Sequence, residues 1–156
     1  MTALEVGGEA PDFELRDQHG QRVRLSTFRG SKAVVLVFFP SAFSPVCSGE
    51  LATLRDAAPH LDRAGVELLT VSCDPMFTLR AFSDHERIEY RMLTDFWPHG
   101  EVSTAYDVFD RDFGCSKRST FVVDRDGRVR WLVHSAMPDA RSVDDYLEAL
   151  DFLRSR

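Results

Sequence analysis

The chain has 156 residues, 44% of them hydrophobic, which is enough for one domain with a buried core. Its net charge of −6 and its scattered Lys and Arg residues argue against a nucleic-acid partner, which would require a basic patch. No apolar stretch approaches the roughly 20 residues that span a bilayer, and the first residues lack the features of an export signal. Three cysteines without a disulfide-framework spacing indicate a reducing compartment, so we expect a cytoplasmic protein.

The predicted elements alternate strands with helices along most of the chain. In chain order they are strands Phe13–Leu15 and Val23–Leu25, strand Ala33–Phe39, a helix from Pro45 to Gly65, strand Val66–Ser72, a helix from Pro75 through Phe82, strand Arg91–Leu93, helix Val102–Tyr106, strands Thr120–Asp124 and Val129–Val133, and helix Val143–Leu153. The apolar run at 33–39 lacks polar alternation, which is typical of a strand buried on both faces of an α/β sheet. A βαβ unit followed by a hairpin and a helix indicates an α/β, thioredoxin-like fold with added N-terminal strands.

Cys47 lies where a helix is predicted to begin, shortly after the central strand. Ser44 is a favourable N-cap residue and Pro45 suits the first helical position, so Cys47 falls in the first turn. Free backbone N–H groups and the helix dipole favour negative charge there, which stabilises a thiolate. We expect the N–H groups of Val46 and Cys47 to face the same pocket as the thiol. The pattern predicts a nucleophilic cysteine rather than a structural one.

The stretch Pro40-x-x-x-Ser44-x-x-Cys47 resembles the active-site signature of the peroxiredoxins, in which most members carry Thr where this chain has Ser44. The resemblance runs from Gly7-x-x-Ala10-Pro11-Asp12-Phe13 to the C-terminal helix. The segment Asp95-Phe-Trp-Pro-His-Gly100 is similar to that of the alkyl hydroperoxide reductase E group of one-cysteine-like peroxiredoxins. This resemblance implies a cofactor-free, thiol-dependent peroxidase that reduces hydrogen peroxide and organic hydroperoxides through a sulfenic acid on Cys47.

The resemblance also implies roles for the residues around this cysteine. The Ser44 hydroxyl would donate to the peroxide, and Pro40 would shield the thiol from water. Arg118 would stabilise the thiolate and align the peroxide. Glu50 matches a carboxylate that orients the active-site arginines, and Arg141 resembles a second arginine of that network.

The sulfenic acid must be returned to a thiol after each reaction. Ala52 occupies the position, five residues after Cys47, where some relatives carry a resolving cysteine. The resemblance therefore implies a one-cysteine cycle in which an external thiol such as mycothiol, or a redoxin, supplies the electrons. Cys115, three residues before Arg118, is a candidate internal resolving thiol and leaves a two-cysteine cycle open. Cys73 is expected to be a core residue or a shielded thiol.

Other functions compete with the peroxidase interpretation. A thiol–disulfide oxidoreductase and a zinc site both call for a C-x-x-C pair, which the chain lacks. A peroxide sensor that uses oxidation of Cys47 as a signal remains an alternative, and it would turn over slowly where an enzyme would consume peroxide continuously. The resemblance further implies a homodimer, with Asp95–Gly100 and the turn carrying Cys47 as contact regions.

Overall fold

The computed structural model describes residues 4–134, and its elements follow the predicted order. The strands are β1 (Glu14–Arg16), β2 (Arg22–Arg24), β3 (Ala33–Phe38), β4 (Val66–Ser72), β5 (Arg91–Thr94), β6 (Phe109–Asp110), β7 (Cys115–Ser116), β8 (Ser119–Val123) and β9 (Val129–His134). The helices are α1 (Pro45–Arg63), α2 (Met76–Glu86) and α3 (Glu101–Ala105). The helix predicted at Val143–Leu153 lies outside the described residues.

A seven-stranded mixed sheet organises the fold, with strand order β2-β1-β5-β4-β3-β8-β9. Strand β3 lies inside the sheet, parallel to β4 and antiparallel to β8, and all six of its residues are buried. The βαβ unit formed by β3, α1 and β4 and the hairpin formed by β8 and β9 are both as predicted. Strands β1 and β2 form an antiparallel pair that extends the sheet beyond β5.

Most predicted boundaries hold within one or two residues, and one small hairpin was not predicted. Strands β6 and β7 form a separate two-stranded sheet in which Phe109 pairs with Ser116 and Asp110 with Cys115. Each strand has only two residues, so no alternation of apolar and polar residues identifies it in the sequence. This hairpin leads directly into β8 and therefore carries the chain toward the predicted site.

The two faces of the sheet bury separate hydrophobic clusters. One cluster joins α1 and α2 to the sheet and includes Cys47, Leu51 and Phe82. The other covers the opposite face and contains an aromatic group in which Tyr106 contacts Phe38 and Phe121. Because both faces of β3 are covered, its carboxyl end is fixed in position, and the chain leaves it there toward α1.

The segment from Asp95 to Gly100 connects the sheet to α3. The Asp95 carboxylate accepts hydrogen bonds from the backbone N–H groups of Val102 and Ser103 at 3.1 and 2.8 Å, which caps the start of the helix. Gly100 has a φ of +70°, and a Cβ at this position would collide with the ring of Phe109. A glycine is therefore required here by backbone conformation and by the close approach of β6.

His99 links this segment to the β6–β7 hairpin. Its Nδ1 lies 3.0 Å from the carbonyl oxygen of Phe96, and its Nε2 lies 2.7 Å from that of Gly114. A carbonyl oxygen only accepts hydrogen bonds, so both contacts are hydrogen bonds only when both ring nitrogens carry a proton. The imidazole thus holds the hairpin loop against the Asp95–Gly100 segment.

Candidate active site

The first turn of α1 places Cys47 in a buried position next to the carboxyl end of β3. Ser44 is the N-cap residue, and its Oγ accepts a hydrogen bond from the Cys47 backbone N–H at 3.4 Å. Pro45 opens the helix at a position where no backbone N–H is needed. The Cys47 residue is only 1% exposed, so its reactivity depends on neighbouring groups rather than on bulk water.

Arg118 is the charged group that meets the Cys47 sulfur. Its Nη2 donates a hydrogen bond to Cys47 Sγ at 3.2 Å, while its Nε lies 3.1 Å from Glu50 Oε2. Both charged residues are at most 2% exposed. Because a buried charge is tolerated only with a partner, the carboxylate of Glu50 beside Nε stabilises the guanidinium while the neighbouring Nη2 donates to the sulfur. A donor with a fixed positive charge at this atom stabilises a thiolate.

Strand register explains how residues 71 positions apart come together. Phe38 in β3 pairs with Ser119 in β8, so Arg118 arrives at the carboxyl end of β3. The chain leaves that same end through Pro40 and the turn that starts α1. Glu50 lies one helical turn beyond Cys47 and therefore projects from the same side of the helix.

Asp74 fixes the turn between β3 and α1, and the sequence analysis did not identify it. Its Oδ2 accepts hydrogen bonds from the Ala42 backbone N–H at 2.9 Å and from the Ser72 hydroxyl at 2.7 Å. Burial raises the pKa of the Asp74 carboxyl, and these two hydrogen bonds oppose that rise. The signal that would have found it is a polar residue directly after the buried strand β4, at the edge of the sheet where β3 also ends.

The structure shows which partners the expected hydrogen-bond donors have, and it corrects the expectation for one of them. The Cys47 backbone N–H was expected to face the pocket, but it donates to Ser44 Oγ because that hydroxyl caps the helix. The Ser44 hydroxyl itself donates to the Ser41 carbonyl oxygen at 3.1 Å. It would therefore have to rotate away from Ser41 in order to donate to a peroxide.

A cavity of about 380 Å³ opens beside the active-site turn. Its walls are formed by the turn, by the end of β4 and by the β6–β7 loop, namely Pro40, Ser41, Cys73, Asp74, Phe113, Gly114 and Cys115. The thiols of Cys73 and Cys115 both line it. Burial is the main cause that raises the pKa of both thiols, and the pKa of Cys115 rises to about 11. Neither is thus poised to ionise near neutral pH.

The structure brings four of the predicted site residues into one region. Arg118 contacts both Cys47 and Glu50. Ser44 caps the helix that carries the cysteine. Pro40 lies on the turn before that helix and lines the cavity. Arg141 lies outside the described residues.

No metal site competes with this arrangement in the described part of the chain. Within residues 4–134, no group of three or more His, Cys, Asp and Glu side chains is arranged to hold a metal ion. Nor does any helix in that range have the length and apolar character needed to cross a membrane.

Known proteins share both the sequence and the fold of this chain. Residues 6–132 match the model of the AhpC/TSA family. The chain is 47% identical over 128 residues to alkyl hydroperoxide reductase E from Mycobacterium tuberculosis, covering 82% of this chain and 84% of that protein. It is 33% identical over 137 residues to peroxiredoxin Bcp from Escherichia coli, covering 83% and 85% of the two chains.

Solved structures agree with these sequence relationships. The crystal structure of peroxidoxin BcpB from Mycobacterium tuberculosis superposes with a TM-score of 0.85 at 32% identity, covering 97% of each chain. A 2-Cys peroxiredoxin from Plasmodium vivax gives a TM-score of 0.87 at 30% identity, covering 96% of this chain and 82% of that one. The predicted thioredoxin-like fold is confirmed by these matches. The chain belongs to the AhpC/TSA family and is a peroxiredoxin, a thiol-dependent peroxidase.

Proposed function

We propose that Cys47 is the peroxidatic residue of this enzyme. Its thiolate attacks one oxygen of a hydroperoxide, the S–O bond forms as the O–O bond breaks, and the departing oxygen takes up a proton to leave as water or an alcohol. The observation that carries this assignment is the 3.2 Å hydrogen bond from Arg118 Nη2 to Cys47 Sγ. A buried guanidinium at the sulfur stabilises negative charge both on the attacking atom and on the oxygen that leaves.

The surrounding residues have separate roles in this reaction. Arg118 holds the thiolate and aligns the peroxide, and Glu50 positions Arg118 through its 3.1 Å ion pair. Ser44 donates to the peroxide after its hydroxyl rotates, and Pro40 limits the access of water. Arg141 is included as a second arginine of the site on the strength of the family resemblance.

We propose that the electrons come from an external thiol or redoxin. The chain has Ala52 where some relatives place a resolving cysteine, and it has no C-x-x-C pair. The first thiol to reach the sulfenic acid is either an external molecule or Cys115, and in both cases an outside reductant completes the cycle. Mycothiol is the external thiol proposed by resemblance to the alkyl hydroperoxide reductase E group, and a reducing cytoplasm suits such a cycle.

The test of the peroxidatic assignment measures continuous consumption of hydrogen peroxide with excess dithiothreitol. Cys47→Ser should lower turnover by a factor of about 10³ or more, because serine is not ionised at neutral pH. Cys73→Ser removes a buried thiol from the same edge of the sheet and serves as the matched control. Equal activity of the Cys47→Ser variant and the wild type would refute the assignment. One oxidation event without turnover would support the sensor alternative instead.

We also propose that the chain forms a homodimer through its exposed aromatic side chains. Trp97 is 81% exposed, and together with Phe77 and Phe96 it lines a groove of about 540 Å³ between the start of α2 and the end of β5. Phe43, on the turn before α1, is also exposed. Exposed apolar side chains clustered in this way are typical of a protein–protein contact, and a second copy would cover the loops next to Cys47.

The solution mass tests this dimer. At micromolar concentration, light scattering should give twice the chain mass, and Trp97→Glu should shift it toward the monomer because the new charge would be buried at the contact. Val6→Glu is the control, since Val6 is also an exposed apolar residue but lines neither this groove nor the cavity beside the active-site turn. A monomeric mass for the wild type across this concentration range would contradict the proposal.

A further inference from the structure

All three cysteines of the chain converge on one edge of the sheet. Cys47 and Cys73 follow the carboxyl ends of the neighbouring parallel strands β3 and β4, and Cys115 lies on β7. All three are free thiols. The burial of Cys115, together with negative charge on Asp110, Cys73, Cys47 and Asp74, raises the pKa of its thiol to about 11.

Cys115 also has the access that a reacting thiol requires. It is partly exposed, whereas Cys47 and Cys73 are buried. It lines the 380 Å³ cavity together with Pro40 and Ser41, which belong to the turn that leads into the first turn of α1. Only two residues separate it from Arg118, which hydrogen-bonds to the Cys47 sulfur. The chain around Cys115 is thus tied to the active site through both the cavity and this arginine.

We propose that Cys115 is the internal thiol that attacks the sulfenic acid on Cys47. This inference rests on the proposed peroxidatic role of Cys47. The Cys115 sulfur attacks the Cys47 sulfur, the S–O bond breaks, and the hydroxyl leaves as water after taking the Cys115 thiol proton. The products are one intrachain disulfide and one water molecule. Two equivalents of an external thiol then reduce the disulfide to two thiols, so the electrons of each cycle still come from outside.

The ionisation of the Cys115 thiol depends on whether Cys47 has already been oxidised. Before oxidation, the raised pKa leaves roughly one Cys115 in 10⁴ ionised at neutral pH, so it does not compete with Cys47 for peroxide. Converting the Cys47 thiolate into a neutral sulfenic acid removes one of the negative charges that oppose ionisation of Cys115. The oxidation of Cys47 therefore removes one of the smaller causes that raise the pKa of Cys115, while burial, the largest cause, remains.

The segment that carries Cys115 is a short hairpin that is held by hydrogen bonds at both its strands and its loop. Strands β6 and β7 have two residues each, and Gly114 between them has a φ of +67°. The loop is fixed by the hydrogen bond from the Gly114 N–H to the Asp110 carbonyl oxygen at 2.8 Å and by the contact of His99 Nε2 with the Gly114 carbonyl oxygen. A disulfide needs its two Cα atoms within about 7 Å, so the proposed reaction requires these loop hydrogen bonds to open locally as the two sulfurs meet.

Cys73 provides a control within the same cavity. Its Sγ lies 3.7 Å from the Ser116 hydroxyl, which in turn lies 2.7 Å from the Ser103 hydroxyl. This buried serine pair holds the thiol in the core, behind β7. Burial raises the pKa of the Cys73 thiol as well. If the effect of Cys115→Ser came only from the loss of a weakly ionised thiol, Cys73→Ser should therefore show the same effect.

The experiment gives the reduced full-length protein one equivalent of hydrogen peroxide and then maps its modified residues by mass spectrometry, with dimedone present to trap sulfenic acid. The wild type and Cys73→Ser should both lose two hydrogens through a Cys47–Cys115 disulfide and should keep monomer mobility on a non-reducing gel. Cys115→Ser should instead trap dimedone on Cys47, with at least about tenfold more adduct than the wild type, because nothing internal consumes the sulfenic acid.

The outcomes separate this inference from the proposed function. A dimedone adduct on Cys47 of the wild type, at the same level as in Cys115→Ser, would overturn the role of Cys115 and leave Cys47 as the peroxidatic residue. A disulfide to Cys73 would also overturn it. Unmodified Cys47 in all three proteins would overturn the proposed peroxidatic role itself.

Discussion

Cys47 and Cys73 are a natural comparison within one molecule. They follow adjacent parallel strands at the same edge of the sheet, and they are only 1% and 6% exposed. Cys47 begins a helix and receives a hydrogen bond from the Arg118 guanidinium. Cys73 lies against a neutral serine hydroxyl, and after burial the carboxylates of Asp95 and Asp74 add to the rise in the pKa of its thiol. The charge of the neighbouring groups, rather than access to solvent, distinguishes a reactive cysteine from an inert one here.

The largest effect should come from removing the positive charge at Cys47. We expect Arg118→Met to lower the second-order rate constant with hydrogen peroxide by about 10²–10³-fold, because one preorganised donor to the reacting atoms is lost. The same variant breaks the buried ion pair between Arg118 and Glu50, which should lower the free energy of unfolding by about 3–5 kcal/mol. Stopped-flow kinetics and urea unfolding measure the two effects separately.

A double variant controls for the loss of stability. Adding Glu50→Gln to Arg118→Met removes the charge of the carboxylate, so stability should recover in part while peroxide reactivity stays low. A rate constant that recovers together with stability would mean that Arg118 acts on the fold and not on the reaction.

Alkylation rates test the contrast between the two cysteines directly. Single-cysteine variants retaining Cys47 or Cys73 are treated with iodoacetamide between pH 6 and 9, and only thiolates react. Because burial raises the pKa of Cys73, its alkylation should stay slow at neutral pH and increase only at higher pH than for an ordinary thiol. Cys47 should react at least about tenfold faster at pH 7. In urea, where neighbours and burial are lost, the two rates should become equal, and a difference that persists there would contradict this explanation.

Glu50→Gln should have a smaller effect than the loss of the arginine. Glutamine keeps the length of the side chain and an oxygen facing Arg118 Nε, but the contact loses the attraction between two opposite charges. We expect the rate constant with peroxide to fall by about tenfold, which corresponds to about 1.4 kcal/mol in the activation free energy. Glu50→Ala, which removes the acceptor as well, should fall further. Equal rates for the glutamine and alanine variants would show that Glu50 does not position Arg118 through this contact.

The local parts of the fold were the ones that the sequence predicted well. The apolar run of β3 identified a strand buried on both faces, and Ser44 with Pro45 located the start of α1. These features depend on neighbouring residues only. Strands β6 and β7 were missed because two residues carry no periodic pattern, and their pairing depends on tertiary contacts such as that of Phe109 with Gly100.

The site shows the same division between local and long-range information. Cys47 was identified from the turn that precedes it, whereas Arg118 and Glu50 entered through family resemblance, since they lie 68 positions apart in the sequence and nothing local reveals their 3.1 Å ion pair. Asp74 was missed because its hydrogen bond to the Ala42 N–H joins two strand ends that lie 32 residues apart, so the polar residue after β4 has no visible partner in the sequence. The orientation of the Ser44 hydroxyl could not be predicted from the sequence either, because helix capping and contact with a peroxide use the same oxygen atom.

The smallest predicted effect concerns that hydroxyl. Ser44→Thr keeps the cap to the Cys47 N–H but adds a methyl group that restricts rotation about χ1. To donate to a peroxide, the hydroxyl must leave the Ser41 carbonyl oxygen. A stiffer side chain held in the productive rotamer should therefore raise the rate constant with peroxide by no more than about threefold. The free energy of unfolding should change by less than about 0.5 kcal/mol. Ser44→Ala is the control: it removes both hydrogen bonds and should cost about 1 kcal/mol of stability in addition to lowering the rate. A slower Ser44→Thr enzyme of unchanged stability would mean that freedom to rotate, and not a fixed hydroxyl, is what the reaction at Cys47 uses.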